Sequence, residues 1–269
     1  MPSYRIDLAY DGTGFHGYAR NNGVRTIQGE LERALANVLG TDVSTVVAGR
    51  TDAGVHAWGQ VVSLEFAEGL DIERVSRSLA TMLGPEIVVR GVFPAPDGFD
   101  ARFGAVSRTY RYFVDDRPAP NPLHRHIAWH VDAPLDSAAM EEAAAALVGE
   151  HDFASFCRAA DGRTTIRRVL SAAWWREADG LAPRAELVAA RTSHPTASFA
   201  DVDEGLLVFE ITANAFCHQM VRSLVALSVE IGRGRLPVGA IPGIFEARDR
   251  NAARGAAPPH GLILWKVEY

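Results

Sequence analysis

Tyr4, Ile6, Leu8 and Tyr10 alternate with polar or small residues, the period of a half-buried strand. From Thr26 the period lengthens. Ile27, Leu31, Leu35, Val38 and Leu39 fall on one helical face, with Thr26 placed to cap the helix and Gly40 to stop it. Val43 to Ala48 and Trp58 to Phe66 read as strands. Asp71 then caps a second helix, with Ile72, Val75, Leu79 and Met82 in step and Gly84-Pro85 behind it, and Ile87 to Phe93 is a further strand. After a linker around Pro94 to Gly104 the pattern partly repeats. Val106 to Val114 is a strand, Pro118, Pro120 and Pro122 mark a loop, and an Ala-rich helix runs from Asp136 to Gly149. Strands at Arg167 to Trp175, Glu186 to Arg191 and Leu206 to Thr212 precede a long helix from Phe216 to about Gly232 and a last strand from Leu262 to Tyr269.

The order strand, helix, strand, strand, helix, strand is that of a ferredoxin-like unit, with helices on one sheet face. The expected fold class is therefore α+β: two ferredoxin-like (RRM-like) halves with mainly antiparallel sheets and a central cleft. Residues 1–98 form the first half and residues 99–269 the second.

With 269 residues the chain is long enough for a real core in one large or two modest domains. The longest apolar run, Phe216 to Ile231, is interrupted by Arg222, which excludes a bilayer-spanning helix in this reading. Arg5 and Asp7 stand where a signal peptide would need its apolar region. Cys157 and Cys217 are too few for a disulfide framework or a thiolate zinc site, so a reducing cytoplasm is the expected compartment. A net charge of −6 is unusual for a dedicated nucleic-acid binder. Distribution qualifies it. Arginines concentrate from Arg158 to Arg191 and at Arg102, Arg108 and Arg111, while acid gathers at Glu65 to Glu73, Asp132 to Asp152 and Asp201 to Glu204. The pattern allows a basic face and an acidic back, although the use of Arg almost throughout, with Lys266 the only lysine, is first of all a mark of the Ala/Gly/Arg-rich composition.

Gly12-Thr13-Gly14-Phe15-His16-Gly17 matches the dinucleotide fingerprint and follows a strand. That site needs a helix opening at the glycines, and here Asn21-Asn22-Gly23 intervenes. The glycines are read instead as positions where backbone passes close to another chain or a ligand. His124, His126 and His130 would share a strand face, but no carboxylate or cysteine completes a recognisable metal spacing, so no metal is expected. No Ser or Cys nucleophile motif is present either. Gly49-Arg50-Thr51-Asp52-Ala53-Gly54-Val55-His56 differs from all of these. It joins two strands and puts Asp52 in a tight turn between glycines, where the carboxylate is either turn chemistry or a catalytic group.

This segment, with Gly59-Gln60-Val61 after it, closely resembles the catalytic motif of the tRNA pseudouridine synthase A family. The likeness runs along nearly the whole chain. It includes Tyr10-Asp11-Gly12 with Phe15-His16-Gly17, Phe99 to Phe103, Arg108 to Tyr112, Gly149 to Phe156, Asn214 to Arg222 and Pro259 to Leu262. The resemblance implies isomerisation of uridine to pseudouridine at positions 38, 39 and 40 in the anticodon stem-loop of tRNA, by a homodimer that needs no cofactor. It implies that Asp52 acts on the ribose as nucleophile or as base, with Arg222 as the cation beside it. Tyr110 packs against the target base and moves a proton, and Arg50 stabilises the stem that the extruded nucleotide leaves. Two departures stand out: Tyr18-Ala19 replaces the family's usual tryptophan and glutamine, and Arg184 to Asp203 is longer than the usual connection. The alternative reading is a non-catalytic RNA-binding protein of two α+β units. It would need exposed aromatics in the RNP pattern, which this sequence lacks.

Overall fold

The computed structural model describes residues 1–67, 69–158, 164–177 and 205–269. In the amino-terminal half, strand β1 (Ser3–Tyr10) leads to helix α1 (Ile27–Leu39), then β2 (Val46–Val47), β3 (His56–Glu65), α2 (Ile72–Leu83) and β4 (Ile87–Ala95). The rest comprises β5 (Ser107–Asp115), β6 (Trp129–His130), α3 (Ser137–Ala145), β7 (Gly149–Asp152), β8 (Ile166–Glu177) and β9 (Leu206–Ala213), followed by helices α4 (Met220–Gly232) and α5 (Ala240–Ala247) and strand β10 (Leu262–Glu268). The chain is thus α+β, with an open, mostly antiparallel sheet. Its strands run β4-β1-β3-β10-β5-β9-β8-β7, with β2 added to β3 and β6 to β5. Among these pairings only β10 with β3 and β6 with β5 are parallel.

One continuous sheet therefore crosses both halves. The join is β10: Ile263 and Leu264 pair with His56 and Ala57 of β3, while the same strand runs antiparallel to β5. One hydrophobic cluster follows the sheet from Tyr4 to Val267. Helices α1 and α2 pack on each other, α2 also on β4, and α3 against β8 and α4.

The predicted caps form as expected. Thr26 Oγ1 accepts the Gly29 N–H, Asp71 the Arg74 N–H and Asp136 the Ala139 N–H. Gly40, in the left-handed region at φ 74°, ends α1.

Four elements differ from expectation. β2 is two residues long, because the buried Glu32 carboxylate takes the Thr45 N–H and hydroxyl, both at 2.9 Å, where a strand ladder would begin. α3 ends at Ala145, and Gly149, at φ 118°, opens β7 instead of closing the helix. α4 starts at Met220 and not at Phe216, since Gln219 sits in the left-handed region at φ 66° and frees the preceding residues as a loop. α5 is an addition to the elements expected, and it carries Pro242 in its first turn, where proline is tolerated. The predicted strand Glu186 to Arg191 and the long 184–203 connection lie outside the described residues.

Side chains alternate across β5. Tyr110 and Tyr112 face the core, while Arg111 lies on the other side. There Arg90, Trp58, Trp265, Arg111 and Trp175 stack in succession across the sheet, with guanidinium-to-ring distances of 3.7, 4.1 and 5.4 Å and 5.9 Å between the first two indoles. Arg111 is also paired with Glu210 at 2.7 Å. That arginine therefore belongs to the back of the sheet and not to a basic face beside Tyr110.

Candidate active site

The Asp52 loop is a built turn. The Val55 N–H donates to Asp52 O at 3.1 Å, and Gly54, at φ 76°, fills the third position, where a type II turn requires a positive φ. The glycine loop after β1 braces it from outside. A Cβ at Gly12 would lie 2.1 Å from the Val55 carbonyl oxygen, so only glycine permits this approach. The Tyr18 N–H donates to Thr51 O at 3.0 Å. At Gly12 and Gly17 the close passage is thus made to the chain's own 51–55 loop.

Polar side chains complete the brace. The Tyr10 hydroxyl is 2.8 Å from Thr51 Oγ1, and Gln60 Nε2 donates both to that hydroxyl and to Gly49 O at 2.8 Å. Burial pushes the Tyr10 phenol up to about 12, so it stays protonated as a structural donor. His56 Nδ1 accepts the Gly12 N–H at 3.0 Å, and its Nε2 faces the carbonyls of His126 and His260 at 2.8 and 3.1 Å. Two of the three histidines weighed as metal ligands are employed likewise: His124 Nδ1 faces Arg117, and His130 Nε2 the Arg117 carbonyl at 2.9 Å. Among the described residues no group of three or more His, Cys, Asp or Glu side chains is placed to hold a metal ion.

The facing wall is the loop freed by Gln219 and the first turn of α4. Asp52 Oδ1 lies 3.3 Å from His218 Nε2, and Oδ2 lies 3.6 Å from Arg222 Nη1. Arg222 is itself fixed by Nε donating to Ala257 O at 2.7 Å. Asp52 keeps 31% of its side-chain exposure against 14% for Arg222, so the carboxylate opens to solvent while its cation is anchored behind it. Among the described residues no backbone N–H donates to that carboxylate, which separates it from ordinary Asx-turn chemistry. Tyr110, from β5, is buried beside Phe216 in an edge-to-face contact of 4.9 Å. Its hydroxyl points at Gly49, where an added Cβ would lie 3.6 Å away. Burial pushes the Tyr110 phenol well up, with Tyr10 adding to the rise and Arg108 opposing it. Arg50 is exposed beside Asp52. Asp52, Tyr110, Arg50 and Arg222 all line one cleft of about 1020 Å³.

Three neighbours were not singled out by sequence. His218 and Phe216 would have needed the helix start to be placed at Met220. Arg108 had been counted with the positive charge, but it donates to the carbonyls of Ala48 at 2.9 Å, Ala105 at 3.1 Å, Asn214 at 2.9 Å and Arg102 at 2.6 Å. It ties the segments around the cleft together. Burial draws its guanidinium down from the ordinary arginine range.

Known proteins resemble this chain along nearly its whole length. A family model described as tRNA pseudouridine synthase matches residues 143–269. A tRNA pseudouridine synthase A of Streptomyces griseus is 41% identical over 98% of this chain and 87% of its own length. The chain belongs to the tRNA pseudouridine synthase A family. The Bacillus subtilis member is 37% identical, over 98% of both chains. The Frankia casuarinae member is 41% identical over 98% of this chain and 88% of its own.

Proposed function

We propose that this family member isomerises uridine to pseudouridine at positions 38, 39 and 40 in the anticodon stem-loop of tRNA, as a cytoplasmic homodimer and without a cofactor. The observation that carries the reading is the half-exposed Asp52 carboxylate, held on a braced turn and faced by His218 and the anchored Arg222. Asp52 acts on the ribose, as nucleophile at C1′ or as base at C2′, and the N1–C1′ bond breaks with its electron pair left on uracil. The base rotates and C5 bonds to C1′, displacing the Asp52 carboxylate on the nucleophile route, or with Asp52 returning the C2′ proton on the base route. The C5 proton departs, N1 regains one, and atoms and electrons balance without a redox partner.

Tyr110, kept protonated by burial, packs on the base and supplies a proton path. Arg50, exposed at the mouth, stabilises the stem after extrusion, which costs a few kcal/mol. The halves 1–98 and 99–269 are read as two ferredoxin-like units sharing the sheet. The order β4-β1-β3-β2 around the first supports this. Asp52 then comes from one half, and Tyr110 and Arg222 from the other. The homodimer brings arginine-rich stretches of two chains along one RNA, which reconciles a net charge of −6 with a polyanionic substrate.

Tritium release from [5-³H]uridine-labelled tRNA tests the reaction, and mapping pseudouridine in tRNA from cells with and without the gene tests the positions. Release with loss of all three modifications in the deleted strain is expected. Tight tRNA binding without release would return the chain to a non-catalytic binder.

A further inference from the structure

Phe103 is the most exposed large apolar side chain among the described residues, at 80%, and it lines the same cleft as Asp52. It is not on a loose loop. Asp100 Oδ1 accepts the N–H groups of Arg102 and Phe103 at 2.7 and 2.8 Å, and Asp100 O accepts that of Gly104 at 2.9 Å. Ala101 is held on both sides, its N–H by Ser63 Oγ and its carbonyl by the Tyr269 hydroxyl. The Arg102 carbonyl accepts from Arg108. A turn tied this thoroughly displays a phenyl ring to water, when the same backbone could carry any polar residue.

Trp58, an exposed ring of β3, is sandwiched between Arg90 and Trp265. Phe103 has only the Arg102 guanidinium, 5.1 Å from its centroid, and among the described residues no other ring stacks on it. The surroundings specify what would cover it. Arg50, Arg102, Arg108 and Arg167 line the cleft beside it, a setting for a polyanion that also carries flat faces. A nucleobase of RNA has both properties. Extruding a uridine also leaves its neighbour without a stacking partner.

We propose that Phe103 is a base-stacking residue: its ring takes the face of the nucleotide next to the extruded uridine, with Arg102 neutralising the adjoining phosphate. The turn is pre-organised, so stacking costs little ordering of the protein. This rests on the tRNA reading above.

The test uses intact tRNA carrying 2-aminopurine on either side of the target uridine. Wild-type protein should quench one of the two probes. Phe103→Ala should relieve that quenching and raise Kd and KM about tenfold, with kcat and melting temperature little changed. Phe103→Trp should restore both quenching and affinity, which a structural defect would not allow. Equal quenching and affinity in Phe103→Ala would overturn the proposal. So would unchanged RNA binding with altered sedimentation, which would assign the ring to a contact between subunits. An active wild type combined with an unaffected Phe103→Ala would remove this inference alone, whereas a wild type that neither binds nor turns over tRNA would remove the functional reading with it.

Discussion

Asp115 receives Arg117 Nε at 2.7 Å and Nη2 at 2.8 Å, together with the backbone N–H groups of Arg117 and Asn121. Asp116 is treated alike, with Arg176 Nη1 and Nη2 at 2.9 and 3.0 Å and the Leu135 N–H at 3.1 Å. Asp52, also beside an arginine, has its nearest guanidinium nitrogen at 3.6 Å and an imidazole at 3.3 Å. Exposure follows the same division: 2% and 4% for the side chains of Asp115 and Asp116 against 31% for Asp52. The first two carboxylates take four and three donors respectively, and they fix the end of β5 to the proline loop and to β8. The third has a cation within reach but lone pairs to spare. A saturated carboxylate maintains the fold; an unsaturated one, supported from behind, is available to a substrate.

Asp52→Asn tests this division most severely. The amide is nearly isosteric, and the turn depends on backbone bonds and Gly54, so folding and tRNA binding should change little. Turnover should fall by about 10⁴-fold or more, as for loss of a residue acting directly on the reacting atoms. Tritium release beside filter binding reads both quantities. Normal release would make Asp52 a turn residue like any other.

Asp115→Asn should do the opposite, leaving kcat of the folded enzyme intact and lowering stability by about 3 kcal/mol, the cost of removing the charged partner of a buried arginine. Burial alone would raise the Asp115 carboxyl, but the Arg117 hydrogen bond and the backbone donors outweigh it and hold it below its ordinary value. A depressed folded pKa gives stability that is complete above the unfolded value near ~4 and is lost as pH falls through the folded one. The gap in unfolding free energy between wild type and Asp115→Asn should therefore be constant at neutral pH and narrow below about pH 4. Denaturant titrations at several pH values measure it; a gap that widens in acid would contradict the assignment.

The same contrast explains which features could be read from sequence. The caps at Thr26, Asp71 and Asp136 and the Asp52 turn are local, set by residues within four positions of one another. So is the alternation that marks β1, β3 and β5. What could not be read depends on distant partners. β10 enters the sheet between β3 and β5, far from either in the chain. Glu32 shortens β2 from across a helix, and Gly12 owes its identity to Val55. His218 was invisible for a related reason: a helix drawn from Phe216 would have placed it on a regular turn, whereas the left-handed Gln219 leaves it on a loop facing Asp52.

The smallest expected effect belongs to Arg222→Lys. Arg222 performs two tasks with one planar group, Nε fixed to Ala257 O at 2.7 Å and Nη1 directed at Asp52. A lysine keeps the charge but ends in a single ammonium on a flexible stem, so it cannot hold the Ala257 carbonyl and face the carboxylate with the same rigidity. If the cation matters chiefly as charge, the substitution should be nearly silent. If its anchoring matters, as the geometry indicates, kcat should fall about tenfold, less than the ~10²-fold or more for outright loss of a preorganised donor, because the charge is kept. KM and melting temperature should hardly move, and Arg222→Met, which removes the charge as well, should fall further. Single-turnover tritium release on saturating tRNA separates the two. A lysine variant as fast as wild type would mean that Asp52 needs only a positive potential, and the anchored guanidinium would then be a feature of the fold like Arg117.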